Sequence, residues 1–303
     1  MTGWENYFTE WAGSYEYKDK NVVKLPYNLP MPPTTNMSGM FRGCKHIQDI
    51  SALANWDISN VTNMRETFYN CQLLKDITAL SSWDTSNVTC MYETFRDCHQ
   101  LQDISALANW DVSNVIDMSY MFNDCHILYH ISALSNWNVS NVIDMRYMFS
   151  ECPSLQNLSA LSNWDVSKVK NMRCMFNGCA YLEDITALSN WNVSSVEDMS
   201  DMFGECLSLQ DISAVSNWDV SNNTCTANMF VCAGSIVDIT PLLGKFGNRD
   251  DPICGSVNQL FRWEIDQLKA HIARLEKQIA ELTKPKDETT SWYQPIISLF
   301  SAD

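Results

Sequence analysis

Cysteine and histidine stand side by side twice, at Cys98–His99 and again at Cys125–His126. Thiolates and imidazoles are zinc ligands, so these pairs raise metal chemistry first. A column of aspartates raises a second kind. Asp49, Asp76, Asp103, Asp184, Asp211 and Asp238 share one phase, interrupted by His130 and Asn157. Stacked carboxylates offer oxygen ligands to Ca²⁺. Both readings have simpler counterparts. Successive residues on an extended chain point to opposite sides, which sends Cys98 and Cys125 inward and leaves His99 and His126 as neighbouring surface histidines. The aspartate column is broken and lacks the Gly-rich nonapeptides of Ca²⁺-binding repeats, as suits a solvated turn. G-x-G-x-x-G, P-loop, G-x-S-x-G and H-E-x-x-H motifs are all missing, and only ten glycines exist to build such loops. The sequence therefore predicts no catalytic residue, no cofactor and no metal, and a protein that is not an enzyme.

The spacing of these residues says what positions them. Tryptophan recurs every 27 residues at Trp56, Trp83, Trp110, Trp137, Trp164, Trp191 and Trp218, and cysteine keeps the same step from Cys44 to Cys206. So strict a period signals a stacked solenoid, in which each coil buries its apolar face only against its neighbours. Phenylalanine holds one phase in every coil: Phe68, Phe95, Phe122, Phe149, Phe176, Phe203 and Phe230. Valine, methionine and leucine hold others. The apolar spacing is near three, which is neither a long helix nor an alternating strand. It predicts a coil around a narrow core, with a short strand at segments such as 114–118, a helical turn at segments such as 120–125 and a second strand at segments such as 101–105. Met37, Met40, Phe41 and Cys44 begin the pattern one coil before Trp56. Residues 1–33 then read as a cap, with Trp4, Tyr7, Phe8, Trp11, Tyr15 and Tyr17 as its lid. Asn223 and Thr226 degrade the last coil, as a terminal coil allows. Cys232 falls one residue short of its column.

Composition excludes several function classes. The formal charge is −16, from 20 Lys and Arg against 36 Asp and Glu. An acidic chain with no basic stripe does not attract a phosphate backbone, so nucleic acid is not expected as a partner. No apolar run of about 18 residues is present to span a membrane. The first residues lack a basic region followed by an apolar stretch, so no signal peptide is expected. On that basis the seven cysteines of the ladder, of twelve in the chain, read as reduced core thiols, since free cysteine packs as a small hydrophobe. For the off-ladder Cys90, Cys174, Cys225, Cys232 and Cys254 the sequence leaves free thiol and disulfide both open.

The repeating string N-W-D-V-S-N-V-x-D-M-x-x-M-F-x-x-C-x-x-L, carried by residues 34–242, resembles the BspA-like leucine-rich repeat family. It is closest to the branch repeating W-D-x-S-x-V-x-x-M-x-x-M-F-x-x-C. The resemblance implies a leucine-rich-repeat-like solenoid with short parallel strands and short helical turns. It also implies non-enzymatic adhesion or protein binding, in a family known from bacterial surface proteins and large DNA viruses.

Beyond the repeat the pattern changes. Phe261, Ile265, Leu268, Ile272, Leu275, Ile279 and Leu282 alternate steps of three and four, a heptad seam of the coiled-coil type. Its expected role is self-association or pairing with a partner's helix; lying against the solenoid as a cap is the alternative. Pro285 ends it. Trp292, Tyr293, Ile296, Ile297 and Phe300 form an apolar tail that should dock on something. The expected organisation is cap 1–33, solenoid of about eight repeats 34–244, linker 245–256, heptad helix 257–284 and docking tail 285–303.

Within the solenoid, two columns do not follow the core pattern. One holds Thr62, Thr89, Ile116, Ile143, Lys170 and Glu197; the other holds Glu66, Glu93, Tyr120, Tyr147, Cys174 and Asp201. Both are expected to face solvent. Ile116, Ile143, Tyr120 and Tyr147, with Tyr92 and Arg146 beside them, would then form an apolar-aromatic patch, and such patches mark contact sites. The function expected is a protein-binding or structural scaffold that oligomerises through its C-terminal helix. Given the resemblance, its setting is a larger assembly such as a virion (minor capsid-type) structure, intracellular or in the virion. The alternative is a cell-surface adhesin or receptor-binding repeat protein exported by another route. A metal-binding or enzymatic protein is the third reading.

Overall fold

Phenylalanine stacks on phenylalanine through the whole array. The rings of Phe41, Phe68, Phe95, Phe122, Phe149, Phe176, Phe203 and Phe230 succeed one another at centroid distances of 5.4–5.8 Å, within 10° of parallel. The computed structural model describes residues 3–220, 224–234, 236, 238, 272–275 and 277. The chain divides into two compact units, Met1–Val257 and Asn258–Asp303. The first is the solenoid, and its core is one continuous cluster running from Phe8 to Ala233.

Two columns of the core, Trp and Cys, are polar at their tips, and the repeat satisfies each column the same way. The indole N–H of Trp83 donates to the carbonyl of Leu53 in the preceding coil, at 3.0 Å, and Trp110, Trp137, Trp164, Trp191 and Trp218 repeat the bond. The thiol of Cys71 lies 3.3 Å from the Phe41 carbonyl, and Cys98, Cys125, Cys152, Cys179 and Cys206 do the same against the coil before them. Buried donors left unpaired are costly, so a cysteine fits where a methyl group would only fill space. The inward direction expected for the cysteine column is what is observed.

The coil itself is built differently from expectation. Neither 114–118 nor 101–105 is a strand. Neighbouring coils meet in isolated parallel bridges one residue wide, one row through Asn63, Cys90, Asp117, Asp144 and Asn171, and shorter rows such as Asp103 with His130. The 120–125 segment is not a helix either. Alternate N–H groups there donate to the next coil: Tyr120 to the Arg146 carbonyl, Phe122 to that of Met148, Asp124 to that of Ser150. The residues between close turns within their own coil, as Asn123 does on Tyr120. Tyr120 and Asp124 take φ of 58° and 63°. A left-handed residue at every fourth step breaks both strand and helix, so the backbone runs as consecutive turns. The helical piece lies elsewhere, in short 3₁₀ segments before the tryptophan such as Ser132–Asn136.

Corners are made by Asp and Asn. Oδ1 of Asp57 accepts from the Ser59 N–H, that of Asn63 from Arg65, and that of Asp76 from Thr78, and most coils repeat these Asx turns. The aspartate column is therefore turn chemistry, and Asp76 also accepts the Thr78 hydroxyl.

The N-terminal lid is a hairpin. β1 (Phe8–Trp11) pairs antiparallel with β2 (Ser14–Tyr17) around Ala12 and Gly13, both at positive φ. That two-residue turn matches the strands' twist. Phe8 and Tyr17 lie on Phe41, at 6.2 and 5.7 Å, so the phenylalanine stack ends in aromatic rings. Of the six expected lid aromatics, Phe8, Tyr15 and Tyr17 are buried, Trp4 and Tyr7 are half-buried, and Trp11 is 79% exposed at the hairpin tip. At the far end Cys232 takes φ 58° in the left-handed position of its coil, and Ala233 fills the cysteine's place in the core.

In the second unit, residues 272–275 and 277 are helical, and Ile272 and Leu275 are exposed. The remaining heptad positions Phe261, Ile265, Leu268, Ile279 and Leu282, and the tail residues Trp292, Tyr293, Ile296, Ile297 and Phe300, lie outside the described residues, as does Asn223. No helix among the described residues is long and apolar enough to cross a membrane.

Candidate functional site

The left-handed backbone step recurs at one column in every coil: Gly39, Glu66, Glu93, Tyr120, Tyr147, Cys174, Asp201 and Asn228, with φ between 52° and 67°. Glycine takes such an angle freely, and a bulky side chain does so at a cost of roughly 1–2 kcal/mol. Only the first coil uses glycine. Two coils place tyrosine there.

Those two tyrosines stack face to face. Tyr120 and Tyr147 have centroids 4.5 Å apart and planes within 6°. Tyr92, from the adjoining column, meets Tyr120 edge-on at 5.8 Å. Arginines interleave with the rings. Arg65 sits over Tyr92 at 4.2 Å, Arg96 over Tyr120 at 5.1 Å, and Arg96 with Arg42 bracket Tyr69. Contacts of this kind are worth about 0.5–1 kcal/mol where exposed. Beneath them lie the two glutamates of the left-handed column. Glu66 pairs with Arg42 at 2.7 Å and with Arg65 at 2.8 Å, and Glu93 pairs with Arg96 at 2.5 Å. Burial and a hydrogen bond to Glu93 push the Tyr92 phenol up to about 12. The arginines' charge is thus met locally, and the face presents flat, neutralised aromatic and guanidinium surface rather than a field that draws anions.

Of the predicted patch, the structure brings Tyr92, Tyr120 and Tyr147 into one row. Arg146, part of the same strip, lies 3.4 Å from Asp144. Ile116 and Ile143 are 48% and 45% exposed and form a second row, joined by the Ile143 N–H on the Ile116 carbonyl. The tyrosine column does not face solvent throughout, because Glu66, Glu93 and Cys174 are buried in it. Sequence reading missed Arg42, Arg65, Arg96 and Tyr69. The sequence held no signal for them. Each stands within three residues of a left-handed position, which brings its side chain out on the same strip, and that backbone state is visible only in the structure.

A second cluster lies further along the same turns. His99 and His126 stack at 4.4 Å with planes 10° apart. Nε2 of His126 is 2.6 Å from Oδ1 of Asp124, and Nε2 of His99 is 3.5 Å from Oδ2. Both rings turn outward as alternation implies. Alternation alone left out Asp124, whose left-handed φ aims it between them. Among the described residues these three are the group placed to hold a metal ion.

A leucine-rich repeat protein of Bacteroides ovatus shares 17% identity with this chain, over 76% of this chain and 79% of its own, at a TM-score of 0.31. A leucine-rich cell-surface protein of Faecalibacterium prausnitzii shares 13%, over 71% and 92%, at 0.20. No curated protein matches the sequence. A family profile described as "Mycoplasma protein of unknown function, DUF285" matches residues 35–160 and 127–238, which is the solenoid from its first coil to its last and more than half of the 303 residues. The chain belongs to that family.

Proposed function

We propose that this protein is a non-catalytic scaffold that binds another protein through the Tyr92–Tyr120–Tyr147 row and the arginines between its rings. The observation that carries the reading is the pair of bulky aromatics at left-handed positions. The fold would be better served there by glycine, and the stacked, half-exposed rings serve recognition instead. Tyrosine and arginine are also the residues that most often dominate binding energy at interfaces.

The partner this surface suits has flat aromatic or amide groups, because the arginines already have counter-ions. Exposed Ile116 and Ile143 extend the contact with apolar area. The test is affinity capture from the native source with the full chain and with its Tyr120→Gly/Tyr147→Gly variant. Glycine relieves the backbone at both sites, so the variant folds. The expected result is loss of the captured partner. Capture unchanged by the double variant removes the tyrosine row from the function.

The finer readings extend this one. The repeat string supports the BspA-like branch. The heptad seam from Ile265 to Leu282 supports oligomerisation and a place in a larger assembly such as a virion layer. Crosslinking within the native source identifies the neighbours and separates that setting from a cell surface.

A further inference from the structure

We infer that His99, Asp124 and His126 form a divalent transition-metal site that staples two adjacent coils. His99 belongs to the coil that begins at Trp83, and Asp124 and His126 to the coil that begins at Trp110. Two imidazoles and one carboxylate are a donor set for zinc, nickel or ferrous iron. The three donor atoms already lie within 4.8 Å of one another, and both Nε2 atoms face a single carboxylate.

The backbone builds this convergence. Asp124 sits at φ 63° and is fixed by its N–H on the Ser150 carbonyl at 2.8 Å. Ser154 Oγ donates to the His126 carbonyl at 2.8 Å, which ties the second imidazole's backbone to the following coil. The coil spacing places the two rings one above the other. Two parallel rings cannot both aim an in-plane lone pair at one ion. Binding therefore requires each ring to turn about its Cβ–Cγ bond, which their partial exposure permits. The three ligands leave the outer coordination positions open to water or to a partner's side chain. The site shares no residue with the tyrosine row.

The test titrates the full-length, reduced, metal-free protein with Zn²⁺ against a chromophoric chelator. The expected result is one zinc per chain, with affinity lowered at least about 10–100-fold by His126→Ala, by Asp124→Asn and by His99→Ala, since even outer-shell changes reach that range. On unaltered protein, the ring resonances of His99 and His126 should shift together at one equivalent. Co²⁺ should give a spectrum without a thiolate charge-transfer band. Absence of stoichiometric zinc binding, binding indifferent to all three substitutions, histidine resonances that stay put, or a thiolate band that assigns the metal to cysteine would each overturn the site.

Discussion

Tyr120 shows how a single residue is held between fold and function. Its φ of 58° is a position where glycine is relaxed and every other side chain is strained. Two truncations separate the backbone contribution from the ring's. Tyr120→Gly and Tyr120→Ala both remove the stack on Tyr147, and only glycine relieves the angle. Thermal or denaturant unfolding should show the glycine variant more stable than the alanine variant by about 1 kcal/mol. Equal stabilities, or alanine the more stable, would mean that the column does not require the left-handed state. At this scale the sequence disclosed that the column varies and holds two tyrosines. It could not disclose the sign of φ, because Glu, Tyr, Cys and Asp share the column with a single glycine. Nor could it show that Asp124 lies between two imidazoles, since that needs the direction of a left-handed residue.

Each coil is the element here, and its core residues act as columns. Phe122 is fully buried between Phe95 and Phe149, at 5.8 and 5.7 Å. Phe122→Ala should destabilise the solenoid by about 3–5 kcal/mol, measured by chemical denaturation, and a loss below about 1 kcal/mol would contradict the stacked core. The cysteine column gives a pH dependence. Burial holds the Cys44 thiol up at about 11 and the Cys152 thiol at about 12. Above the ordinary thiol value, near 9, the unfolded chain loses protons that the folded chain keeps. Stability then falls as pH rises. The contribution is complete below about pH 9 and is lost toward the folded values of 11 to 12. Equilibrium unfolding from pH 7 to 11 should show a plateau and then a decline. The ladder thiols should also resist aromatic disulfide reagents until the coils open. Immediate labelling in the native state would contradict their burial. The columns themselves were legible, because a period repeated seven times leaves little ambiguity about which residues face inward. The elements between them were not. The segment expected as a helix has left-handed residues at Tyr120 and Asp124, the segments expected as strands meet the next coil in single bridges, and neither hydrophobic period describes such a path.

The whole molecule joins an acidic solenoid to a segment of different pattern. In that segment Ile272 and Leu275, helical and 54% and 43% exposed, occupy the a and d positions of the heptad seam. A seam that pairs with a second copy loses that pairing when its apolar residues become charged. Ile272→Asp/Leu275→Asp in the full chain should lower the mass measured by light scattering to that of a monomer, 34.6 kDa, while the solenoid's unfolding transition stays in place. If the unaltered chain is already monomeric at tens of micromolar, the seam does not self-associate. The hairpin β1–β2 meets the opposite need. It ends the aromatic stack at Phe8 and Tyr17, so that the first coil is not left as an open apolar edge.

Sequence by itself determined the solenoid, its 27-residue step, the inward columns of Trp, Met, Phe and Cys, and the aromatic lid. Periodicity carries that information directly, because each coil repeats the same solution to burying a narrow core. Only the tertiary structure decided how the exposed side chains meet. Residues 27 apart are brought ring to ring, and left-handed turns choose the direction in which each side chain leaves the coil. The Tyr92–Tyr120–Tyr147 row, the arginines between its rings, and the convergence of His99, Asp124 and His126 all depend on those two facts. The first is written in the 27-residue spacing, which sets Tyr120 beside Tyr147 and His99 beside His126; the second, the direction set by the left-handed turns, is not.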